Sequence, residues 1–467
     1  MCPCPVFPSP SKSRTPVWKL FFRARRSWMD MLYERSYSMK MGQVHLPGMD
    51  VFMANDPEVV RRVMVEDYEK FPKHALLHRT LKPLLGESIF TTNGAVWQRQ
   101  RQLLDPAFES ARLKAVFPLM LLAVNDMCDR LCNLRDGEVV NVEEAMTHVT
   151  ADIIFRTILS MSLQESEARK IYQAFSRFQE TALPISIDQI FHLSPWLVQP
   201  LTTWRNRKAA KEIRLLIDQS VRSRIEAMGT QLGSGKEDGM QEQGRDLLDA
   251  MLDSRITETG DRYGEAELVD QICMLFLAGH ETSASALSWS LYLLALFPDA
   301  QEKAFQETRS VIGDRPPQYD DIGKMEYVRS VFREALRLYP PVGFFARESV
   351  EQTTLRDKFV RRGSTVVISP WLIHRHREYW QAPDDFNPER FGQEETHNSL
   401  RNAYLPFGLG PRICIGAGFA LQESSLILAE LLKHFRIELV ADREPRPVGR
   451  LTIRSENGIW LKISKRS

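Results

Sequence analysis

Several features are missing from this chain of 467 residues, and each absence removes a class of function. No stretch approaches the roughly 20 consecutive apolar residues that span a bilayer, so no membrane-crossing helix is expected. Basic and acidic residues balance, 61 against 60, without the basic excess on which nucleic-acid binding depends. The N-terminus lacks the basic start and apolar core of a secretory signal, and a cytoplasmic location is expected. The six cysteines (Cys2, Cys4, Cys128, Cys132, Cys273 and Cys414) make no closely spaced framework, so disulfides are not expected. Cys128 and Cys132 stand four apart on a predicted helix, but no histidine or cysteine cluster follows at zinc-finger spacing, and the pair reads as core. Cys273, in an apolar run, reads as core too. There is no internal repeat and no glycine-rich dinucleotide loop.

What is present is a chain long enough to bury a bulky cofactor, 43% of it hydrophobic. Pro8, Ser9, Pro10 and Ser11 read as a flexible leader. Residues 17–35 mix Trp, Phe and Leu with Arg; an amphipathic helix there either touches a membrane surface or packs on the body, and packing is the favoured reading. Gln43–His45 and Val51–Ala54 read as strands joined at Pro47-Gly48, and Asp56 caps a helix that begins with Pro57. From about 95 to 310 the pattern is almost wholly helical. Leu268, Ile272, Leu275, Gly279, Ser283, Ala286, Leu287 and Ser290 mark one long helix. Residues 229–245 read as loop. Short strands are expected at Ser364–Ser369, Ile437–Val440, Leu451–Arg454 and Ile459–Ile463. The fold class is mainly α with a small β-rich part, and no linker parts it into independent domains.

Four constellations carry chemistry. In Phe407-Gly408-Leu409-Gly410-Pro411-Arg412-Ile413-Cys414-Ile415-Gly416, a stiffened glycine loop delivers one cysteine to the start of an apolar helix. Backbone N–H groups at a helix N-terminus lower a thiol pKa, although a buried structural cysteine is the plain alternative. Glu334 and Arg337 lie three apart on one helix face and can pair, as countless exposed pairs do. Ala278-Gly279-His280-Glu281-Thr282-Ser283 puts a polar cluster inside the long apolar helix, either as back-bonding hydroxyls or as a local opening. Trp97 and Arg101 are four apart; by spacing alone such a pair is more often cation–π packing.

Together these motifs resemble the cytochrome P450 family from about residue 40 to the end. The decapeptide matches that family's haem signature, Phe-x-x-Gly-x-Arg-x-Cys-x-Gly, at every fixed position. The resemblance implies the P450 fold, with residues 39–467 as one haem domain behind a leader at 1–38. It implies haem b with Cys414 as proximal iron ligand, and Phe407 and Arg412 beside it. Glu334, Arg337 and Arg390, the last in Asn387-Pro388-Glu389-Arg390-Phe391, look like the family's buried triad. Glu281 and Thr282 resemble its acid–alcohol pair, in which the hydroxyl holds dioxygen and the acid feeds protons through water. Trp97, Arg101, Arg347 and Arg412 look like its propionate-binding set. The implied reaction inserts one oxygen atom from dioxygen into an apolar small molecule. Phe276, Ala278, Thr282, Val342, Phe344 and Phe345 are candidate pocket residues.

With no flavin domain expected after the haem domain, electrons should come from a separate ferredoxin- or flavodoxin-like donor and its reductase. Arg99 and Arg401 are candidate docking residues, and a bacterial-type monomer is expected. A peroxide-driven peroxygenase is the first rival reading, but it has no need of Glu281 and Thr282. A non-enzymatic haem carrier is the second, and it leaves that pair unexplained.

Overall fold

Helix-period apolar spacing in the middle of the chain becomes long helices packed around one that is buried on every side. The computed structural model describes residues 4–12, 26–46, 49–181, 200–233, 246–256 and 259–466. Its principal helices are α1 (Ala75–Leu85), α2 (Gly94–Leu104), α3 (Ser110–Cys132), α4 (Val142–Leu159), α5 (Ser166–Thr181) and α6 (Pro200–Gly233), then α7 (Glu265–Leu296), α8 (Glu326–Leu338) and α9 (Ala417–His434). α7 is the central one. At its start the Glu267 carboxylate reaches back to accept the Gly264 N–H at 3.2 Å. At Gly279 a Cβ would sit 2.6 Å from Ile154 Cδ1, so glycine lets α4 press against α7. The expected loop at 229–245 begins later than the pattern suggested, because α6 runs to Gly233; positions 234–245 lie outside the described residues.

The β-rich part frames the helices. β1 (Met41–Leu46) and β2 (Met49–Ala54) pair antiparallel, with Gln43 opposite Phe52 and Pro47-Gly48 outside the described residues. Asp56 does cap the helix that follows, accepting the Glu58 N–H at 3.0 Å. β3 (Glu138–Asn141) interrupts the helical stretch. β4 (Phe345–Glu348) and β5 (Thr365–Ile368) complete a sheet of order β1-β2-β5-β4. β6 (Phe435–Leu439) and β9 (Trp460–Lys465) join β3, while β7 (Pro447–Gly449) pairs with β8 (Ile453–Ser455).

The N-terminal segment behaves differently from a flexible leader. Tyr339 donates its hydroxyl hydrogen to the Val6 carbonyl at 2.6 Å, and the Ser11 N–H reaches the Leu32 carbonyl. Of the expected amphipathic helix, 17–25 fall outside the described residues. The remainder forms two short 3-10 turns, Trp28–Met31 and Glu34–Tyr37. Trp28 is buried edge-on against Phe344 and Trp371, and this anchor bends the chain at the expense of a straight helix. No helix among the described residues is long and apolar enough to cross a membrane.

Candidate functional site

The cysteine loop owes its shape to two glycines with positive φ, Gly408 at 77° and Gly410 at 72°. A Cβ on Gly410 would lie 2.3 Å from the Met64 carbonyl oxygen, so the loop closes on that backbone with glycine alone. The Cys414 N–H donates to the Phe407 carbonyl at 2.9 Å, and α9 begins three residues later. Burial raises the Cys414 thiol pKa, while the Gly416 N–H and the charge of Arg101 lower it. Yet Cys414 is surface-accessible, unlike Cys128 and Cys273, whose thiols burial pushes up to about 12. Cys132, expected in the core beside Cys128, is exposed.

Basic side chains, one buried and two half-buried, gather next to this loop. Arg412 donates to the Tyr68 and Phe71 carbonyls at 2.7 and 3.2 Å and lies over the Trp97 ring, 5.3 Å from its centroid. Arg347 is buried on β4; its Nε, like that of Arg412, has no hydrogen-bond partner. Lys73 pairs with Arg347 through an isolated β-bridge and places its Nζ 5.9 Å from the centroid of the Trp97 ring. Burial and its neighbours Arg412 and Arg347 depress the Lys73 pKa to about 6; burial and Arg412 bring Arg347 to about 10. Lys73 has no pattern in the sequence to announce it. Arg101, expected in this cluster, instead donates to the Ile413 carbonyl at 2.7 Å and to Asp105 at 2.6 Å, which braces the backbone beside Cys414.

On α7 the motif divides. Thr282 donates to the Ala278 carbonyl at 2.7 Å, and α7 is α-helical at every residue, so the expected local opening is replaced by back-bonding. Glu281 turns toward the C-terminal strands: it accepts from Thr452 at 2.8 Å and lies 3.5 Å from Arg454 Nε. Phe276 packs against Phe155 at 4.4 Å and Phe175 at 5.9 Å, which makes it core and not pocket. Phe344 is taken up by Trp28. Ala278, Thr282, Val342 and Phe345 stay partly accessible, and Phe345 touches the cysteine loop near Gly408. Glu423 of α9 is buried near Ser283 of α7 with neither carboxyl oxygen in a hydrogen bond. Burial lifts its pKa to about 8, which keeps it neutral near pH 7.

The three residues of the second motif meet fully buried. Glu334 binds Arg337 through both oxygens at 2.8 Å and Arg390 at 3.1 Å. The remaining guanidinium hydrogens go to the carbonyls of His374, Pro383, Asp385, Gln381 and Ala382. His374 closes the network by accepting the Leu405 N–H at 2.7 Å, its pKa depressed to about 3 by burial and Arg337.

Comparison with known proteins agrees with this arrangement. The sequence profile described as Cytochrome P450 matches residues 8–461. The chain belongs to the cytochrome P450 family. Human "Cytochrome P450 4V2" is 30% identical over 399 residues, covering 84% of this chain and 76% of that protein. "Cyclooctatin synthase" of Streptomyces melanosporofaciens is 30% identical over 405 residues, covering 85% and 83%. The crystal structure of the cytochrome P450DA heme domain superposes with a TM-score of 0.79 at 24% identity, over 99% of each chain, which shows the common fold. As a P450, the protein is a haem-thiolate monooxygenase, an oxidoreductase with haem b as cofactor.

The residues present fit that cofactor. Buried Arg347 and half-buried Arg412 concentrate positive charge with two guanidinium nitrogens left over, and Lys73 beside them can take up its proton when an anion binds. The two propionates of haem b are the charges such a cluster needs. An accessible thiol at the start of α9 is the donor that iron needs. Of the candidate docking residues, Arg99 is engaged by Asp261 and by Glu267 at 2.8 Å, whereas Arg401 is exposed.

Proposed function

We propose that Cys414 ligates the haem iron of a P450 that oxygenates an apolar small molecule, with Glu281 and Thr282 supplying protons. The observation that carries this reading is the accessible Cys414 beside buried Arg347 and half-buried Arg412 and Lys73. When bound, haem b supplies the oxygen-activating chemistry. The chain's residues do the rest. The Gly416 N–H steadies the thiolate, and Arg101 fixes the carbonyl next to it. Arg347, Arg412, Lys73 and the Trp97 indole hold the propionates; Arg101 adds a further donor from the loop side. Phe407 packs at the start of the loop. The Thr282 hydroxyl positions a proton where the oxygen reacts, and Glu281 replaces it. Substrate occupies the space lined by Ala278, Thr282, Val342 and Phe345.

Electrons come, in this reading, from a separate ferredoxin- or flavodoxin-like donor and its reductase, which dock on the cysteine side near Arg401. The protein works as a cytoplasmic monomer. The test replaces the ligand: Cys414→His keeps haem but loses the red-shifted ferrous–CO Soret band from which the family takes its name. Persistence of that band would overturn the assignment. Thr282→Ala separates oxygen activation from peroxide use. Positioned proton transfer is worth about 10²–10⁴ in rate, so NADPH should still be consumed while product gives way to hydrogen peroxide. Peroxide-driven turnover should suffer much less. Wild-type product per NADPH in that variant would withdraw the role of Thr282. A screen for compounds that shift the ferric Soret band from low to high spin identifies the substrate class.

A further inference from the structure

Glu281 is wired to the protein surface through groups that its own helix does not carry. Its Oε1 accepts from buried Thr452 at 2.8 Å and lies 3.5 Å from Arg454 Nε on β8. The Arg454 side chain is one-third exposed, so it reaches from the interior to water. Its charge also acts on Glu143, in the first turn of α4, whose carboxylate accepts the Ser455 N–H at 3.0 Å. Burial raises the Glu143 pKa and exposed Glu144 raises it further; the Ser455 N–H and Arg454 pull it back. His280, the other titratable group nearby, donates its Nδ1–H to the Phe276 carbonyl at 2.5 Å, and burial lowers its pKa. Adjacent residues of β8 thus meet two acids: Arg454 reaches Glu281 of α7, and the Ser455 N–H holds Glu143 of α4.

We infer that Glu143 and Arg454 form the proton entry to Glu281, with Glu143 as the outer proton carrier and Arg454 as a positioning residue. This rests on the reading of Glu281 as the relay acid. The Glu143 carboxylate takes a proton from solvent and passes it, through water, to the Glu281 carboxylate. Glu281 then gives it to the Thr282 side, and each acid returns to its carboxylate form. No electron moves, and Arg454 keeps its charge throughout. Its work is to present one permanent positive charge to both carboxylates, which favours the charged form of each. The C-terminal strands therefore serve the reaction as well as the fold.

The experiment uses the haem-loaded protein with one turned-over substrate, and compares Arg454→Met, Arg454→Lys, Glu143→Ala and Glu281→Gln. Positioned proton transfer spans about 10²–10⁴ in rate, and this outer step is expected near the low end, about a hundredfold. Arg454→Met and Glu143→Ala should lose product in favour of peroxide, with a larger solvent isotope effect and with haem loading and thermal melting unchanged. Arg454→Lys should keep coupling. Acetate added to Glu143→Ala, which leaves room for a small acid, should restore product. In Arg454→Met the infrared carboxylic-acid band of Glu143 should persist to higher pH, with or without haem. Uncoupled Glu281→Gln beside wild-type coupling in both Arg454→Met and Glu143→Ala would overturn the inference alone. Wild-type coupling in Glu281→Gln would instead remove the relay reading beneath it.

Discussion

Arg337 and Arg390 are buried against Glu334 and five backbone carbonyls, whereas buried Arg347 and half-buried Arg412 lie beside Lys73 and each other. The first set is closed: its acid uses both oxygens, and its cations end on carbonyls. The second is open: two guanidinium nitrogens lack partners, and Arg412 depresses the pKa of both Lys73 and Arg347. A folded chain tolerates the closed set because each charge is paired and hydrogen-bonded. The open set costs stability until an anion arrives. In this pair of clusters the unanswered charge lies beside the cysteine loop and the fully answered charge lies in the scaffold.

The contrast can be broken most violently in the scaffold. Glu334→Ala leaves two guanidinium groups buried and unanswered, at a cost of about 3–5 kcal/mol. Against a typical domain stability of about 5–15 kcal/mol that is a large share, so soluble yield and haem loading should both collapse. A soluble, fully loaded Glu334→Ala protein at wild-type yield would make the triad dispensable.

Arg347→Met should act with the opposite sign on the apoprotein. It removes an unmatched cation, so the apo melting temperature should hold or rise. Haem should leave faster, by about 10- to 100-fold, because a charge-assisted hydrogen bond contributes about 1.5–3 kcal/mol. A lower apo melting temperature with unchanged haem loss would place Arg347 with the scaffold.

A pH titration sharpens the same point. Lys73 binds its proton with a pKa of about 6 in the fold, against 10.5 when exposed. Between those values the unfolded chain holds more protons, so apoprotein stability should rise with pH through that window. Below about pH 6 the lysine is charged in both states and the penalty is fully present. Lys73→Met should flatten the slope, and so should haem, whose propionates favour the charged lysine. Melting curves of the apo and loaded forms across pH check both; a slope that survives Lys73→Met belongs to another group.

Arg101→Ala should have the smallest effect. Arg101 is partly exposed and already shared between Asp105 and Ile413, so its loss loosens the loop by about one hydrogen bond, near 1 kcal/mol. Modestly faster haem loss with an unchanged ferrous–CO spectrum is the expected result. A loss as fast as in Arg347→Met would put Arg101 among the principal propionate residues.

The cysteine loop and the triad were legible in the sequence because their determinants are local and chemically strict. Gly410 must accept a positive φ against the Met64 backbone, and Glu334 and Arg337 share a helix face by spacing alone. Length and apolar period likewise marked α7. The tertiary structure decided the rest. Lys73 joins the cluster because a β-bridge to Arg347 draws it in. Arg101 is partnered by the Ile413 carbonyl and by Asp105, contacts that its spacing from Trp97 does not announce. Gly279, Phe276 and Glu281 look alike as members of one polar-interrupted helix, yet they serve helix contact, aromatic core and a salt-bridged exit to β8. Sequence sets which backbone shapes and charges are available along a few turns. Which distant charge answers which is fixed when the chain closes, because burial makes an unmatched ion costly and a matched one stable.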